Sequence, residues 1–425
     1  MTNDPAEGNP RDSRLRRVTK YLGLNRSIFG LLSMVILVGM GEKMAERFLP
    51  LYLMALGGGA LSIGMLNGLD NLMSALYSLP GGYLSDRLGV KRALLIFNAM
   101  ALIGFAIVIA FPVWQAAIVG AILFMSWTAI SLPATIGLIA QVLPTHKHTM
   151  GVSVHSLVRR IPMALGPIVG GLFIGVWGEV DGVRLAFVFA FAMGVVAMIL
   201  QQRLIVDDRR GEDEEAVHEL RLRKLLAGVS RPLRMLLVSD ILVRFCEQIP
   251  YAFVVVWCVK TIASPVSAFQ FGLLTAIEMV TAMLVYIPVA HFAQRNAKKP
   301  FVVITFGFFT LFPLALLYSH SFPMLVGAFV LRGLKEFGEP TRKALIMDLA
   351  PEDRKSSVFG LYYLMRDSVV SLAAFGGAFL WMISPAVNFL TALGFGVIGT
   401  LWYAIYGTDL GVPDPEADDF TRTNT

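Results

Sequence analysis

The sequence predicts an all-α integral membrane protein, with twelve transmembrane helices in two six-helix bundles related by pseudo-two-fold symmetry. Three observations carry this expectation. First, the 425-residue chain is 56% hydrophobic and 16% charged, whereas soluble domains run at about 45–50% and about 25%. Second, its apolar runs recur about every 35 residues, enough for one bilayer-crossing helix of about 20 residues and its loop. Third, the pattern of the first six runs returns in the last six. The mean hydropathy of +0.67 agrees. A soluble enzyme, a disulfide scaffold and a disordered chain are excluded at this point.

The runs fall at 28–56, 61–82, 92–111, 115–142, 149–177 and 184–205, then at 233–261, 267–292, 301–319, 323–349, 357–382 and 387–406. They divide the chain into a basic tail (1–27), a first bundle (28–205), a linker (206–232), a second bundle (233–406) and a final tail (407–425). The linker is the longest polar stretch. Its acids Asp207, Asp208, Glu212, Asp213, Glu214 and Glu215 precede Arg221, Arg223 and Lys224, as in a solvated connection.

Loop charge sets the orientation. One set of loops holds Arg87, Lys91, Arg92, Lys147, Arg203, Arg209, Arg210, Arg295, Lys298, Lys299, Arg354 and Lys355. The opposite set holds little beyond Arg184 and Lys260. Cations concentrate on the cytoplasmic side, so both termini are expected there, in a bacterial inner membrane. The net charge of +6 and pI of about 9.3 have the same origin and do not call for nucleic acid. Cys246 and Cys258 lie twelve residues apart on one span and cannot bridge. No metal-ligand spacing, phosphate loop or nucleophile–base set occurs, so neither a metal nor an organic cofactor is expected.

The halves repeat in detail. Residues 31–42 (LLSMVILVGMGE) match 236–247 (LLVSDILVRFCE) at six of twelve positions, and both end on an acid, Glu42 and Glu247. Gly64, Leu66, Asp70 and Pro80 correspond to Gly272, Leu274, Glu278 and Pro288. Gly120, Ala121, Pro133 and Pro144 correspond to Gly327, Ala328, Pro340 and Pro351. Such a repeat is the sequence trace of a carrier with two bundles around a midplane site.

Between spans 2 and 3 the chain reads Gly82-Tyr-Leu-Ser-Asp86-Arg87-Leu-Gly89-Val-Lys91-Arg92. This resembles, without a gap, the loop signature G-x-x-x-D-R-x-G-x-K-R of the major facilitator superfamily. The resemblance implies that family's fold and an alternating-access carrier. It assigns Gly82, Asp86, Arg87, Gly89, Lys91 and Arg92 to a latch that favours the outward-facing state. In span 5, Gly166-Pro167-Ile-Val-Gly170-Gly171 resembles a helix-packing signature of the family's drug–proton antiporters, with Pro162 where that signature has glycine. Span 4 lacks the arginine of such exporters; Met125, Ser126 and Trp127 stand in that region. Span 1 carries Glu42-Lys-Met-Ala-Glu46-Arg47-Phe48, which is similar to the E-x-x-E-R-F of proton-coupled peptide transporters with one residue added.

Charges inside spans are costly, about 2.5–3.5 kcal/mol each at the centre, and persist by pairing or by facing a cavity. Counted from the loops, Glu42, Asp70, Arg159, Arg160, Arg244, Glu247, Glu278, Lys335, Glu336, Arg366 and Asp367 lie roughly 13–24 Å deep. Glu42 and Glu46 are like charges four apart. Asp70 has no cation within a turn. A desolvated acid without a fixed partner can take and release a proton, so Glu42, Glu46, Asp70, Glu247, Glu278, Lys335 and Glu336 are the candidates for coupling and the cavity. Arg159, Arg160, Arg244 and Arg366 can instead receive an anionic substrate group, or pair with these acids. Helical spacing predicts Arg332–Glu336, Lys335–Glu339 and Glu339–Lys343 pairs along span 10 and an Asp240–Arg244 pair in span 7. Arg342 and Lys343 are expected near the cytoplasmic interface, as snorkelling or latch residues, and His155 as a packed core histidine.

The expectation is therefore a monomeric, proton-coupled secondary carrier that exports a small amphipathic or charged compound. Import of a peptide or an organic anion is the alternative, and a receptor or membrane enzyme has little support.

Overall fold

The computed structural model describes residues 26–125, 127, 131, 135, 138, 148–205, 230–293, 297–351 and 355–408. The expected tails, most of the linker, Ser126, Pro133 and Lys147 lie outside the described residues, as do the side-chain surroundings of Gly82 and Asp86. The described residues are predominantly helical. The first half contains α1 (Arg26–Glu46), α2 (Leu49–Ala55), α3 (Gly59–Leu88), α4 (Val90–Ala110), α5 (Trp114–Phe124) and α6 (His148–Leu204). The second contains α7 (Arg231–Gln248), α8 (Ala268–Ala293), α9 (Lys298–Leu317), α10 (Phe322–Leu334), α11 (Glu339–Asp348), α12 (Lys355–Ile383) and α13 (Pro385–Tyr406).

Among the described residues, eight stretches are long and apolar enough to cross a membrane, and one of them, Val158–Leu204, holds both span 5 and span 6. Those two spans join at Gly178. Span 2 is the 30-residue α3. Span 4 is described mainly through α5, and span 10 is divided into α10 and α11. Outward-facing Leu284, Leu372, Val176 and Ile405 are exposed, as a hydrocarbon surround requires.

Two glycines make the tight connections. Gly89 sits at φ 82° between α3 and α4, so span 3 begins one residue after span 2 ends. Gly178 sits at φ 81° between spans 5 and 6. A side chain is strained in that region of φ, and glycine is not. Serines cap two later spans. Ser230 Oγ accepts from the Leu233 amide at 3.4 Å, and Ser384 Oγ accepts from the Val387 amide at 3.1 Å.

Three spans expected to be continuous are interrupted. Span 1 leaves the helix at Arg47–Phe48, just before Pro50. Span 7 leaves it after Gln248, at Pro250, and goes on through a 3-10 turn (Tyr251–Phe253) and a π turn (Trp257–Thr261). Span 10 leaves it over Lys335–Gly338, before Pro340. In each case proline removes an amide donor and crowds the carbonyl four residues back.

The halves pack through α6 against α8 and through α3 against α12. The small residues of span 5 explain the first contact. A Cβ on Gly166 or Gly170 would meet the span 1 backbone at Lys43–Met44, and one on Gly171 would meet that of Ala268 in α8. The apolar core runs through both halves. Within the first, Phe105, Phe124 and Phe187 stack with centroids 4.9–5.9 Å apart.

Candidate functional site

The helix breaks face one another. Arg47, at the span 1 break, donates to the Tyr251 hydroxyl at the span 7 break, 2.8 Å away. The same guanidinium lies 5.2 Å from the Tyr251 ring centre, and Arg332 lies 5.4 Å from it. Beside this contact, Asn67 Nδ2 of α3 donates to the Gln248 carbonyl at 3.0 Å, and Asn71 Nδ2 donates to Gln248 Oε1 at 3.2 Å. Further from the Gly82–Arg92 loop, Lys260 pairs with Glu179 at 2.5 Å. The halves are thus tied from mid-depth toward the end opposite that loop.

A small, partly open cavity lies between the halves, lined by Glu46, Arg47, Asn67, Met125, Tyr251, Phe271 and Arg332 among others. A second, smaller one is formed by Leu66, Leu69, Asp70 and Met73 of span 2 and Ile118, Ala121, Ile122 and Met125 of span 4. The two share Leu66 and Met125, so they adjoin.

In the first half, Lys43 stands between the like charges of span 1. It bonds Glu42 at 3.1 Å and pairs closely with Glu46. Glu42 is buried. Asp70 and Arg159 are partly exposed and, among the described residues, have no hydrogen bond or ion pair to the protein. Arg160 reaches across to Glu336 at 3.3 Å. His155 is buried, as expected.

In the second half the charges form one connected ladder. Arg332 pairs with Glu278 at 3.3 Å; Lys335 pairs with Glu278 at 3.4 Å and bonds Glu247 at 2.8 Å. Glu247 accepts from Arg244 at 2.6 Å, and Arg244 continues to Glu339 at 3.6 Å. Asp240 takes Arg342 and, at 3.4 Å, Arg366, with the Tyr362 hydroxyl donating at 3.0 Å. Arg342 chelates Glu339 through two nitrogens, at 2.6 and 3.0 Å. Arg366 also holds Asp367 at 2.7 Å. Acids and cations alternate, so little net charge is buried.

This ladder corrects several expectations. Arg332 pairs with Glu278 rather than Glu336, and Lys335 pairs with Glu247 and Glu278 rather than Glu339, because the break at Lys335–Gly338 abolishes the four-residue helical spacing. The expected Glu339–Lys343 pair forms at 3.5 Å. Asp240–Arg244 is present only at 3.8 Å. Arg342 does not snorkel toward solvent: it is 1% exposed, held by Asp240 and Glu339. Arg244 and Arg366 are engaged by acids of their own half and are not vacant anion contacts. Glu247 and Glu278 likewise have cationic partners, unlike Asp70.

Sequence reasoning passed over Tyr251 and Gln248. Pro250 beside them was the available signal, since a proline inside an apolar run marks a break whose polar neighbours need new partners. It also passed over a buried tie in the first half. Trp127 Nε1 donates to Asn98 at 2.8 Å, Asn98 donates to Gln201 at 2.5 Å, and Gln201 donates to the Lys91 carbonyl at 2.9 Å, beside the Gly89 turn.

The chain matches the Major Facilitator Superfamily over residues 31–265 and again over 241–423. It belongs to that family. Among curated proteins it is 31% identical over 191 residues to the quinolone resistance protein NorA of Staphylococcus aureus (strain MRSA252), covering 44% of this chain and 47% of that protein. The match thus spans about half the length of that relative. It is 20% identical over 371 residues to an uncharacterized MFS-type transporter of Methanocaldococcus jannaschii, covering 85% of this chain and 90% of that one. Among solved structures, the nucleoside transporter NupG aligns with TM-score 0.74 at 14% identity, over 90% of this chain and 100% of its own. A bacterial homolog of the human lysosomal transporter Spinster, inward-facing and unoccupied, aligns with TM-score 0.70 at 13% identity, over 89% and 95%. The peptide transporter POT in complex with sulfate aligns with TM-score 0.71 at 15% identity, over 90% and 94%. These likenesses establish the superfamily fold, in which Gly82–Arg92 joins spans 2 and 3 of the first bundle.

Proposed function

We propose that this superfamily member is a proton-coupled secondary carrier that exports a small amphipathic compound by alternating access. The observation that carries this reading is Asp70, a carboxylate without an ion-pair partner among the described residues, in an apolar pocket beside the cavity between the halves. An ionised carboxylate there is poorly solvated, and protonation removes the penalty. Glu42, buried on span 1 with Lys43 shared between it and Glu46, is the second coupling group.

The cycle follows from the bonds between the halves. Arg47–Tyr251, Asn67–Gln248 and Lys260–Glu179 hold one end together. Opening that end breaks them, and the Asp86 latch at the other end then takes over. Proton uptake and release at Glu42 and Asp70 bias the two states through their differential affinity for the proton. Both termini and the Gly82–Arg92 loop face the cytoplasm in this reading, the chain works as a monomer in the bacterial inner membrane, and no cofactor takes part.

Export is favoured by the likeness to a quinolone resistance protein and by the apolar, methionine-containing pocket wall, which suits varied ligands. Import of a peptide or organic anion is the second reading. It is supported by the Glu46–Arg47 turn lining the cavity, where the sequence is similar to the peptide transporters. Inside-out membrane vesicles carrying an acidic interior separate the two. Addition of an exported amphipathic amine discharges the pH gradient at a rate that depends on the protein, whereas a proton-coupled importer leaves the gradient unchanged with amines and discharges it when a dipeptide is loaded inside the vesicles.

A further inference from the structure

The breaks in spans 1 and 7 occupy the same place in the half-repeat. The 205-residue offset that brings Glu42 onto Glu247 also brings Met44 onto Ile249, Glu46 onto Tyr251 and Phe48 onto Phe253. The backbone slips in the same way at both. In an unbroken α-helix the Phe48 amide would go to the Met44 carbonyl, and the Phe253 amide to that of Ile249. Instead Phe48 donates to the Ala45 carbonyl at 3.0 Å, and Phe253 to that of Pro250 at 2.8 Å. Each break therefore frees one carbonyl of a buried residue. A glycine of the fifth span lies against it in both halves. The 207-residue offset that brings Gly120 onto Gly327 and Arg159 onto Arg366 brings Gly170 onto Gly377. A Cβ on Gly170 would collide with the Met44 carbonyl oxygen, as one on Gly377 would with that of Ile249.

From here the halves differ. Asn388, in the first turn of span 12, is fully buried. Its Nδ2 donates to the Ile249 carbonyl at 3.3 Å and to the Gly377 carbonyl at 2.8 Å. One side-chain amide thus takes up the carbonyl freed in span 7 and ties it to span 11. In the first half the position 207 residues earlier is Asp181, whose side chain is 75% exposed and pairs with Arg184 at 3.9 Å. Among the described residues, no side chain donates to the Met44 carbonyl. A buried amide is costly unless its hydrogen bonds are made. Asn388 is kept although its Oδ1 has no partner among the described residues, so its donors are what this place requires.

The span 7 break is also what the second half presents to the first. It aims Gln248 at Asn67 and Asn71, and Tyr251 at Arg47. Without Asn388, the Ile249 carbonyl finds its nearest replacement donor in the Phe253 amide. That bond rewinds Tyr251–Phe253 into α-helix and turns Tyr251 away from Arg47. We propose that Asn388 is the positioning residue of this contact: it holds span 7 in its broken form and so sets how firmly the halves close at the end opposite the Gly82–Arg92 loop. The proposal assigns a role to a span that lines neither cavity, and it goes beyond the carrier reading above.

The test is cysteine labelling in intact cells with an impermeant maleimide. Met125→Cys, in the wall of both cavities, is the reporter, and the parent without it gives the background. Asn388→Ala in the reporter chain is expected to speed labelling about tenfold or more, since a buried carbonyl left without its donor disfavours the closed form. Adding Tyr251→Phe to Asn388→Ala is expected to change the rate no further, because Asn388 acts through the turn that carries Tyr251. Asn98→Ala is the control for loss of any buried asparagine bond. Asn98 donates to Gln201 within the first half, so its loss should lower the melting temperature and leave labelling as in the parent. Gly377→Ala displaces the Ile249 carbonyl from the other side with Asn388 in place, and carries the same expectation should Asn388→Ala not reach the membrane. Unchanged labelling in folded Asn388→Ala or Gly377→Ala overturns the proposal. So do effects of Asn388→Ala and Tyr251→Phe that multiply, or an equal acceleration by Asn98→Ala. The readout needs neither substrate nor gradient, so its failure is distinct from a failure of proton coupling.

Discussion

Arg47 of the first half donates to the Tyr251 hydroxyl of the second at 2.8 Å, and both residues stand where a transmembrane helix is broken. Span 1 yields at Arg47–Phe48 and span 7 after Gln248, so the pseudo-symmetric halves meet through their irregular turns. Broken backbone near mid-depth is tolerated where protein or a cavity surrounds it, and here it supplies the polar groups that tie the halves.

Tyr251→Phe keeps the ring between Arg47 and Arg332 and removes only the hydroxyl. A hydrogen bond to a charged group contributes about 1.5–3 kcal/mol, so the arrangement closed at this end should lose about tenfold or more in population. Cysteine labelling of the cavity from the side opposite the Gly82–Arg92 loop is expected to accelerate accordingly. Unchanged labelling would show that the contact does not hold the halves.

Arg342→Ala leaves Asp240 and Glu339 without their shared guanidinium in a site that is almost fully buried. Removing one member of a buried ion pair costs about 3–5 kcal/mol, so the melting temperature should fall markedly. Combining it with Asp240→Asn should restore part of the loss, because the orphaned charge is removed as well. A double variant no better than the single one would mean that the network is not electrostatic in origin.

Much of the fold was legible because hydropathy and the repeat report on burial in lipid. Gly89 was legible as part of a motif, and its φ of 82° gives the physical reason for it. The pairing of charges was not legible. Lys335 finds Glu247 on another span, 88 residues away in sequence, and neither propensity nor spacing encodes that meeting. Position along span 10 suggests a snorkelling Arg342; the partners Asp240 and Glu339, on another span and one helical turn away, bury it within the protein instead. At the candidate site the sequence marked Asp70 and Arg159, but only coordinates show that their second-half counterparts are already paired.

Gly89→Ala forces a side chain into a region of φ that disfavours it, at a cost of about 1–3 kcal/mol. The strain falls on the turn that carries Asp86 and Arg87. Transport should slow while substrate affinity changes little, and Asp86→Asn should have the same signature. A large affinity loss with normal turnover in either variant would contradict the latch role.

The proposed topology puts both termini on the cytoplasmic side, so Pro10→Cys and Phe420→Cys should be protected from impermeant thiol reagents in intact cells and labelled after permeabilisation. Labelling of either from outside would invert or break the proposed topology.

Coupling through Glu42 and Asp70 is the central claim, and transport in proteoliposomes with and without an imposed pH gradient tests it most directly. Glu42→Gln and Asp70→Asn each remove an ionisable group and keep its shape. Gradient-driven accumulation is expected to be abolished in both, while substrate exchange at equal pH survives, since exchange need not move a net proton. If both variants respond to the gradient as the parent does, these acids do not couple, and the proton path runs elsewhere in the charge network.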